Sequence, residues 1–441
     1  MTALGIDIGS TTIKGAVLGN TPTGQPLVGA LAKAPFPHPV TGLPPGCFEI
    51  DPHQVLHATR QVLESLVQQA PSANRLYLCG QMGGAVVCDT QGQPLTRYLS
   101  WRDQRATLPA ASGHTLLQEA TTLLADILPE IGNELKPGST SLLLHALKRT
   151  GNLPAQGVPA TIGDAMAAML TNTAPRIHPT MAIGLLNLAQ GGWHRQMLCR
   201  LGLDHLHWQD LPNLVTPLGT TLCKGSQLEV FAVVGDQQGA LFGAGLLPGE
   251  LSLNVSTGAQ VSRLANQYTP AAHQTRHYLD GLLLETITHI PAGRSLHALV
   301  DLLTELSRAQ DLPVGNPWQT ITRLATQAPQ DAGGLAANIA FFPSAVGDSG
   351  SLTGIRLENL SAGNLLVAAT RDLATNLAQC ASQLNPYTSW NKIRLSGGLS
   401  RDLPLLTALI QQYFPTATVL ESAVEEETLA GLANIASASK A

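Results

Sequence analysis

Apolar residues alternate with small or polar ones at the start of the chain. Leu4–Ile8 and Ile13–Leu18 read as two strands. Between them, Gly9-Ser-Thr-Thr12 is short, polar and glycine-bearing, as a tight hairpin requires. Residues 19–48 hold several Pro and Gly and predict loop or irregular edge structure. Asp51-Pro52 then predicts a helix start, with Asp as N-cap and Pro in the first turn. Val55, Leu56, Val62, Leu63, Leu66 and Val67 fall on one face of that helix. Leu76–Cys79 and Ala85–Cys88 read as further strands, joined by Gly80-Gln-Met-Gly-Gly84. Strands with a covering helix place the chain in the α/β class.

Residues 107–220 read mostly as helix and loop, with helical pieces at Ile162–Leu170 and around Trp193–Leu203. Phe231–Val234 reads as a short strand ending at Asp236, and Gln237–Ala244 as a helix of small residues. Pro248-Gly249 reads as a hinge, giving two domains, 1–247 and 248–441. The second half repeats the logic of the first. Leu251–Ser256 and Gln260–Leu264 are strands around Thr257-Gly258, and Leu282–Ile287 is another. Leu365–Leu384 predicts a long helix with Leu366, Ala369, Leu373, Leu377, Cys380 and Leu384 on one face. Ile393–Ser396 is a strand, Gly397-Gly-Leu-Ser400 leads into a helix over Asp402–Phe414, and Thr418–Leu420 is a last strand before a helix through Thr428–Ala436. The pattern predicts two similar lobes, each opening on strand, polar loop, strand.

With 441 residues, 44% apolar and 12% charged, the chain is globular and long enough for two or three domains. A net charge of −5 without a basic run argues against nucleic acid. No apolar run approaches the ~20 residues of a membrane span. The opening residues show no basic stretch or small-residue cleavage site, so no secretory leader is expected. The six cysteines stand singly, which predicts buried thiols in a reducing cytoplasm. His205 and His207 lack a third ligand at a metal spacing.

The chemistry gathers around Gly235-Asp236-Gln237-Gln238. Upstream lies Asp7-Ile-Gly-Ser-Thr-Thr-Ile-Lys14 and downstream Ser256-Thr257-Gly258. Two phosphate-cradling loops with a carboxylate between them fit a protein that deprotonates a hydroxyl beside a bound nucleoside triphosphate. A plain N-cap role for Asp236 is the competing reading.

These residues resemble the FGGY carbohydrate kinases over nearly the whole chain. Gly5–Lys14 resembles that family's opening phosphate loop, and Gly80–Gly84 the Gly-Gln-Met-His-Gly stretch of its xylulose and sedoheptulose kinases. Trp101-Arg-Asp-Gln-Arg105 resembles their Trp-x-Asp-x-Arg. Gly235-Asp236 resembles the segment of the catalytic Asp, and Ser256-Thr-Gly258 the second phosphate loop. Ser396–Ser400 resembles the adenosine-side loop, and Ala430–Ala433 the Gly-Ala-Ala helix. Thr161–Leu170 and Leu253–Thr257 are similar to stretches of sedoheptulokinases.

The resemblance implies two lobes of the actin/hexokinase-type (ribonuclease H-like) ATPase fold with a cleft between them. It implies a cytoplasmic carbohydrate kinase, monomer or homodimer, that uses ATP and Mg²⁺ on a ketose, foremost sedoheptulose. Asp236 would be the catalytic base, and Asp7 with Asp236 would hold Mg²⁺. Gly9, Ser10, Thr11 and Thr12 would wrap phosphate oxygens, with Lys14 in reach. Thr257 and Gly258 would hold phosphates, and Gly397 and Gly398 would lie against adenosine. Gln81, Met82, Trp101, Asp103, Asp236 and Gln237 would meet the sugar. The chain departs from the pattern at Gly83, where relatives have His, and at Gly347-Asp-Ser349, where many read Gly-Glu-Arg.

Three alternatives stand beside this reading. D-Xylulose or D-ribulose could be the acceptor. A degenerate member could bind sugar and regulate without turnover. The opening loop also resembles ATPase activators of 2-hydroxyacyl-CoA dehydratases, but Cys223 and Cys380 lack the setting of iron–sulfur ligands.

Overall fold

Leu4, Ile6 and Ile8 are fully buried, so β1 (Ala3–Ile8) runs through the middle of a sheet. The computed structural model describes residues 2–21, 26–109, 113–385, 389–422 and 424–438. β1 pairs antiparallel with β2 (Thr12–Asn20), which pairs antiparallel with β3 (Pro26–Pro35). On its other side β1 runs parallel to β4 (Arg75–Gly80). β5 (Gly219–Cys223) and β6 (Ser226–Gly235) complete the order β3-β2-β1-β4-β6-β5, with β4 and β6 parallel.

The pattern over 19–48 predicts loop, yet the structure builds β3 there. Leu27 and Leu31 are each more than 40% exposed. Such an edge strand has little buried alternation to announce it, and proline is tolerated at its ends. The helix Pro52–Gln69 starts where expected, with the Asp51 carboxylate accepting from the His53 amide at 2.9 Å. Val55, Val62, Leu63, Leu66 and Val67 are buried on its inner face, while Leu56 is half-buried.

The chain divides into two compact units: Met1–Gly245 with Asn266–Leu283 and Val424–Ala441, and Leu246–Ala265 with Leu284–Ala423. These are not the contiguous halves 1–247 and 248–441. Side-chain and helix packing explain both returns to the first unit. The Asn133 amide donates to the carbonyls of Ala271 and His273 at 2.8 and 2.9 Å. The last helix, Glu427–Ala438, packs on the helix Asp236–Gly243. Glycines set their separation. A Cβ on Gly431 would stand 2.0 Å from the Gly239 carbonyl oxygen, and one on Gly243 would stand 1.9 Å from that of Glu427. The Asn434 amide then reaches the Phe242 carbonyl at 3.0 Å.

In the second unit, β7 (Leu251–Val255) and β8 (Gly258–Ala265) form an antiparallel pair beside β9 (Leu283–Pro291). β7 also runs parallel to β10 (Lys392–Ser396), which runs parallel to β11 (Thr418–Glu421). The order β9-β8-β7-β10-β11 repeats the meander-plus-parallel scheme of β3-β2-β1-β4-β6. The helix Ala362–Leu384 buries all six residues that its periodicity assigns to one face. Each large apolar side chain among them contributes roughly 1.5–3 kcal/mol.

Pro248-Gly249 lies in a turn in which the Glu250 amide donates to the Leu247 carbonyl at 3.1 Å. Cys79, Cys88, Cys223 and Cys380 are buried, but Cys199 is exposed and Cys47 half-buried. No helix among the described residues is long and apolar enough to cross a membrane.

The glycine contact yields a stability prediction. Gly431→Ala should lower the unfolding free energy by about 1–3 kcal/mol through overpacking, read by urea denaturation. Unchanged stability would show that the two helices separate without cost.

Candidate active site

Three chain segments leave the first sheet at one level. In register, Ile8 lies beside Gly80, and Gly80 beside Gly235. Beyond these residues come the loop Gly9–Thr11, the loop Gln81–Gly84 and the helix that starts at Asp236. The carboxyl ends of parallel strands are where open α/β sheets bind ligands. Gly235, and not Asp236, caps that helix, so Asp236 is its first residue. Its carboxylate accepts from the Gln237 amide at 2.8 Å.

Burial pushes the Asp236 carboxyl up to about 7, and the nearby Asp7 charge pushes the same way. Arg276 pulls against both. Burial raises Asp7 as well, opposed by a hydrogen bond from the Thr428 hydroxyl to its Oδ2 at 2.8 Å. The other oxygen, Oδ1, is buried without a hydrogen-bond partner. Two desolvated carboxylates, one with an orphaned oxygen, are a chemical fit for a divalent cation. Magnesium suits the pair because it accepts few protein oxygens and keeps most of its waters. Among the described residues no group of three or more His, Cys, Asp or Glu is placed to hold a metal. Lys14 forms an ion pair, its ammonium 2.7 Å from the Glu426 carboxylate.

The residues assigned to sugar divide. Gln81 is buried, its Oε1 accepting from the Tyr98 hydroxyl at 3.4 Å. Trp101 is 40% exposed, and Met82 is half-buried against Gly235. A Cβ on Gly235 would lie 2.6 Å from the Met82 sulfur, so the glycine before Asp236 makes room for that side chain. Asp103 does not join them. It is fully buried, and its oxygens take the Phe48 and Arg105 amides and two Arg105 guanidinium donors, all at 2.7–2.9 Å. Arg105 also pairs with Glu49 at 2.7 Å. Asp103 therefore positions the Trp101 loop, and a buried structural ion pair takes the place of the expected sugar contact.

Two arginines lie beside this group that motif reading passes over. Arg276 donates through Nε to Glu134 at 2.5 Å and through Nη1 to the Gln237 side-chain oxygen. Arg102 donates through Nη2 to the Ser10 hydroxyl at 2.9 Å. Arg102 falls on an unspecified position of Trp-x-Asp-x-Arg, and Arg276 lies some forty residues beyond Asp236, so neither had a local signal. Gly83 has φ +75°, and a Cβ there would stand 3.0 Å from the Gly138 carbonyl oxygen. The departure from His is thus built into the backbone.

The second unit has its own cradle. Ser256 and Thr257 form the exposed bend between β7 and β8. The Gly293 and Arg294 amides donate to the carbonyls of Ser256 and Thr257 at 3.0 and 2.8 Å. Gly397, with φ +93°, runs so close to β7 that a Cβ would stand 2.2 Å from the Val255 carbonyl oxygen. At Gly398 a Cβ would meet nothing within 4 Å. Ser256, Thr257, Gly293, Arg294, Gly398 and Asp402 line a cavity of about 640 Å³. That volume is in the range of small-molecule and cofactor sites. The Ser400 hydroxyl donates back to the Gly397 carbonyl at 2.7 Å.

Residues 2–243 match the N-terminal domain of the FGGY family of carbohydrate kinases. The chain belongs to this family. A glycerol kinase from Acaryochloris marina (strain MBIC 11017) is 29% identical over 233 residues, which are 49% of this chain and 45% of that protein. The matched region therefore spans less than half the length of that relative. Three solved structures share the fold. A ligand-bound xylulose kinase from Lactobacillus acidophilus has a TM-score of 0.81 at 18% identity, covering 100% of this chain and 89% of that one. A gluconate kinase from Lactobacillus acidophilus gives 0.82 at 18%, covering 100% and 90%. Plasmodium falciparum glycerol kinase with ADP gives 0.80 at 14%, covering 100% and 89%.

The raised Asp236 carboxyl of this FGGY protein has a cost with a definite sign. Between the ordinary carboxyl value of 3.8 and about 7, the folded chain holds a proton that the unfolded chain has lost. Stability therefore falls as pH rises through that window. In metal-free buffer Asp236→Asn should be more stable than wild type at pH 8 by about 1–3 kcal/mol. The gain should shrink toward pH 5, as followed by urea denaturation. Equal stability at both pH values would show that Asp236 is not desolvated.

Proposed function

We propose that the protein is an ATP- and Mg²⁺-dependent kinase that phosphorylates the primary hydroxyl of a ketose, with sedoheptulose as the foremost acceptor. The observation that carries the reading is Asp236: a desolvated carboxyl near neutrality, at the carboxyl end of a parallel strand and close to a second acid. A base works best when its pKa lies near the working pH. In the ionised form Asp236 accepts the proton of the acceptor hydroxyl as its oxygen attacks phosphorus. Asp7 and Asp236 would hold the magnesium ion, which supplies charge stabilisation to the transferring phosphoryl group.

Trp101 offers a half-exposed indole face to the carbon chain, and Gln81 and Gln237 offer amides to sugar hydroxyls. Arg276 fixes the Gln237 side chain by its oxygen, which limits the hydroxyl patterns the amide can meet. In the second unit the cavity over Ser256, Thr257, Gly293, Arg294 and Gly398 would take the nucleotide. Sedoheptulose rests on the short resemblances at Thr161–Leu170 and Leu253–Thr257. The first of these includes a buried capping box, Thr161 with Asp164, so part of that match serves the helix start. The glycerol, xylulose and gluconate kinases with which the chain shares sequence or fold place those acceptors in the test.

ADP release with ATP and Mg²⁺ should be measured on sedoheptulose, D-xylulose, D-ribulose, D-gluconate and glycerol. Sedoheptulose should give the highest kcat/KM, and Asp236→Asn should lower kcat by about 10²–10⁴-fold. Preference for another acceptor would correct the substrate. Silence on all of them would favour a sugar-binding regulator.

A further inference from the structure

Arg102 is the second residue of the Trp101–Arg105 loop, yet its guanidinium lies on a different segment. Nη2 donates to the Ser10 hydroxyl at 2.9 Å and faces the Ser10 carbonyl at 3.4 Å. The same guanidinium stands over the rings of Phe48 and Trp101, each 5.6 Å from its centre. The buried Asp103 carboxylate fixes the loop to the Phe48 amide, and the Arg102 amide donates to the Ser100 hydroxyl at 3.2 Å. Arg102 is thus held by two aromatic faces, a pinned backbone and one serine.

The chemistry of the pair fixes the direction of the hydrogen bond. A guanidinium has donors only, and a serine hydroxyl has one proton and two lone pairs. In this contact Ser10 must be the acceptor, so its own proton points elsewhere. A charged donor also polarises the hydroxyl it binds and strengthens the bond that hydroxyl then gives. We propose that Arg102 is a positioning residue for phosphoryl transfer: it commits the Ser10 hydroxyl to donate to a phosphate oxygen and couples the Trp101 loop to the phosphate loop. The proposal rests on the reading of Gly9–Thr12 as a phosphate loop. It gives the chain a link between the acceptor and the phosphate cradle within one unit.

The test is a double-mutant cycle with Arg102→Met, Ser10→Ala and their combination, with Arg102→Lys as the conservative variant. Steady-state constants for ATP and for the best acceptor are read together with the dissociation constant of Mg²⁺-adenosine 5′-(β,γ-imido)triphosphate by calorimetry. Each single variant should lower kcat/KM for ATP by about 10–100-fold, the worth of a charge-assisted hydrogen bond. The double variant should be no worse than the poorer single one, the acceptor KM should stay within about 3-fold, and Arg102→Lys should recover part of the loss. Effects that multiply, or a rise in acceptor KM with the ATP constants unchanged, would overturn the proposal and leave Arg102 as a loop anchor. If wild type phosphorylates no acceptor, the kinase reading fails, and the cycle is judged on analogue binding alone. Equal affinities across the cycle, or no binding by wild type, would then overturn the proposal as well.

Discussion

Two carboxylates lose much of their water at the carboxyl ends of parallel strands, and the rest of the first unit is arranged around that cost. Asp7 is the penultimate residue of β1, and Asp236 follows directly on β6, with β4 between the two strands. Among the described residues no direct ion pair neutralises either acid. Asp7 receives the Thr428 hydroxyl, and Asp236 the Gln237 backbone amide. A fold that needed only stability would place apolar or paired groups there, because a lone buried acid is costly. A site that recruits a cation and a proton donor turns the same cost into binding and basicity.

Glycines let the surrounding segments approach. Gly235 yields space to the Met82 sulfur, while Gly239, Gly243 and Gly431 let the last helix lie against the helix that begins at Asp236. Through that helix Thr428 reaches Asp7, and the neighbouring Glu426 takes Lys14. The C-terminal residues thereby become part of the first unit's acid site. In the second unit Gly397 does equivalent work, bringing the turn after β10 onto the backbone of β7.

Much of this was legible in the sequence where one residue type has one physical use. The Asp51-Pro52 helix start, the six-residue face of the long helix and the placement of Asp7 and Asp236 at strand ends all follow from local pattern. What was not legible depends on partners distant in the chain. Asp103 looks like a sugar ligand until Phe48 and Arg105 are seen to occupy its oxygens. Arg102 and Arg276 carry no local signal, since Ser10 lies 92 residues from the first and Glu134 lies 142 from the second. β3 hides because its inward positions are small alanines, Ala32 and Ala34, while Leu27 and Leu31 are exposed. The return of residues 266–283 and of the last helix to the first unit follows from contacts that no hydrophobic period encodes.

The most direct test of the account is the titration of the Asp236 carboxyl itself, followed by NMR of protein carrying ¹³C-labelled aspartate. In wild type without metal it should titrate near 7. It should move down in Asp7→Asn yet stay above the ordinary 3.8, because burial is the larger cause and the Asp7 charge the smaller. Added Mg²⁺ should also move it down. A carboxyl that titrates near 3.8 in wild type, indifferent to Asp7 and to the cation, would contradict the account.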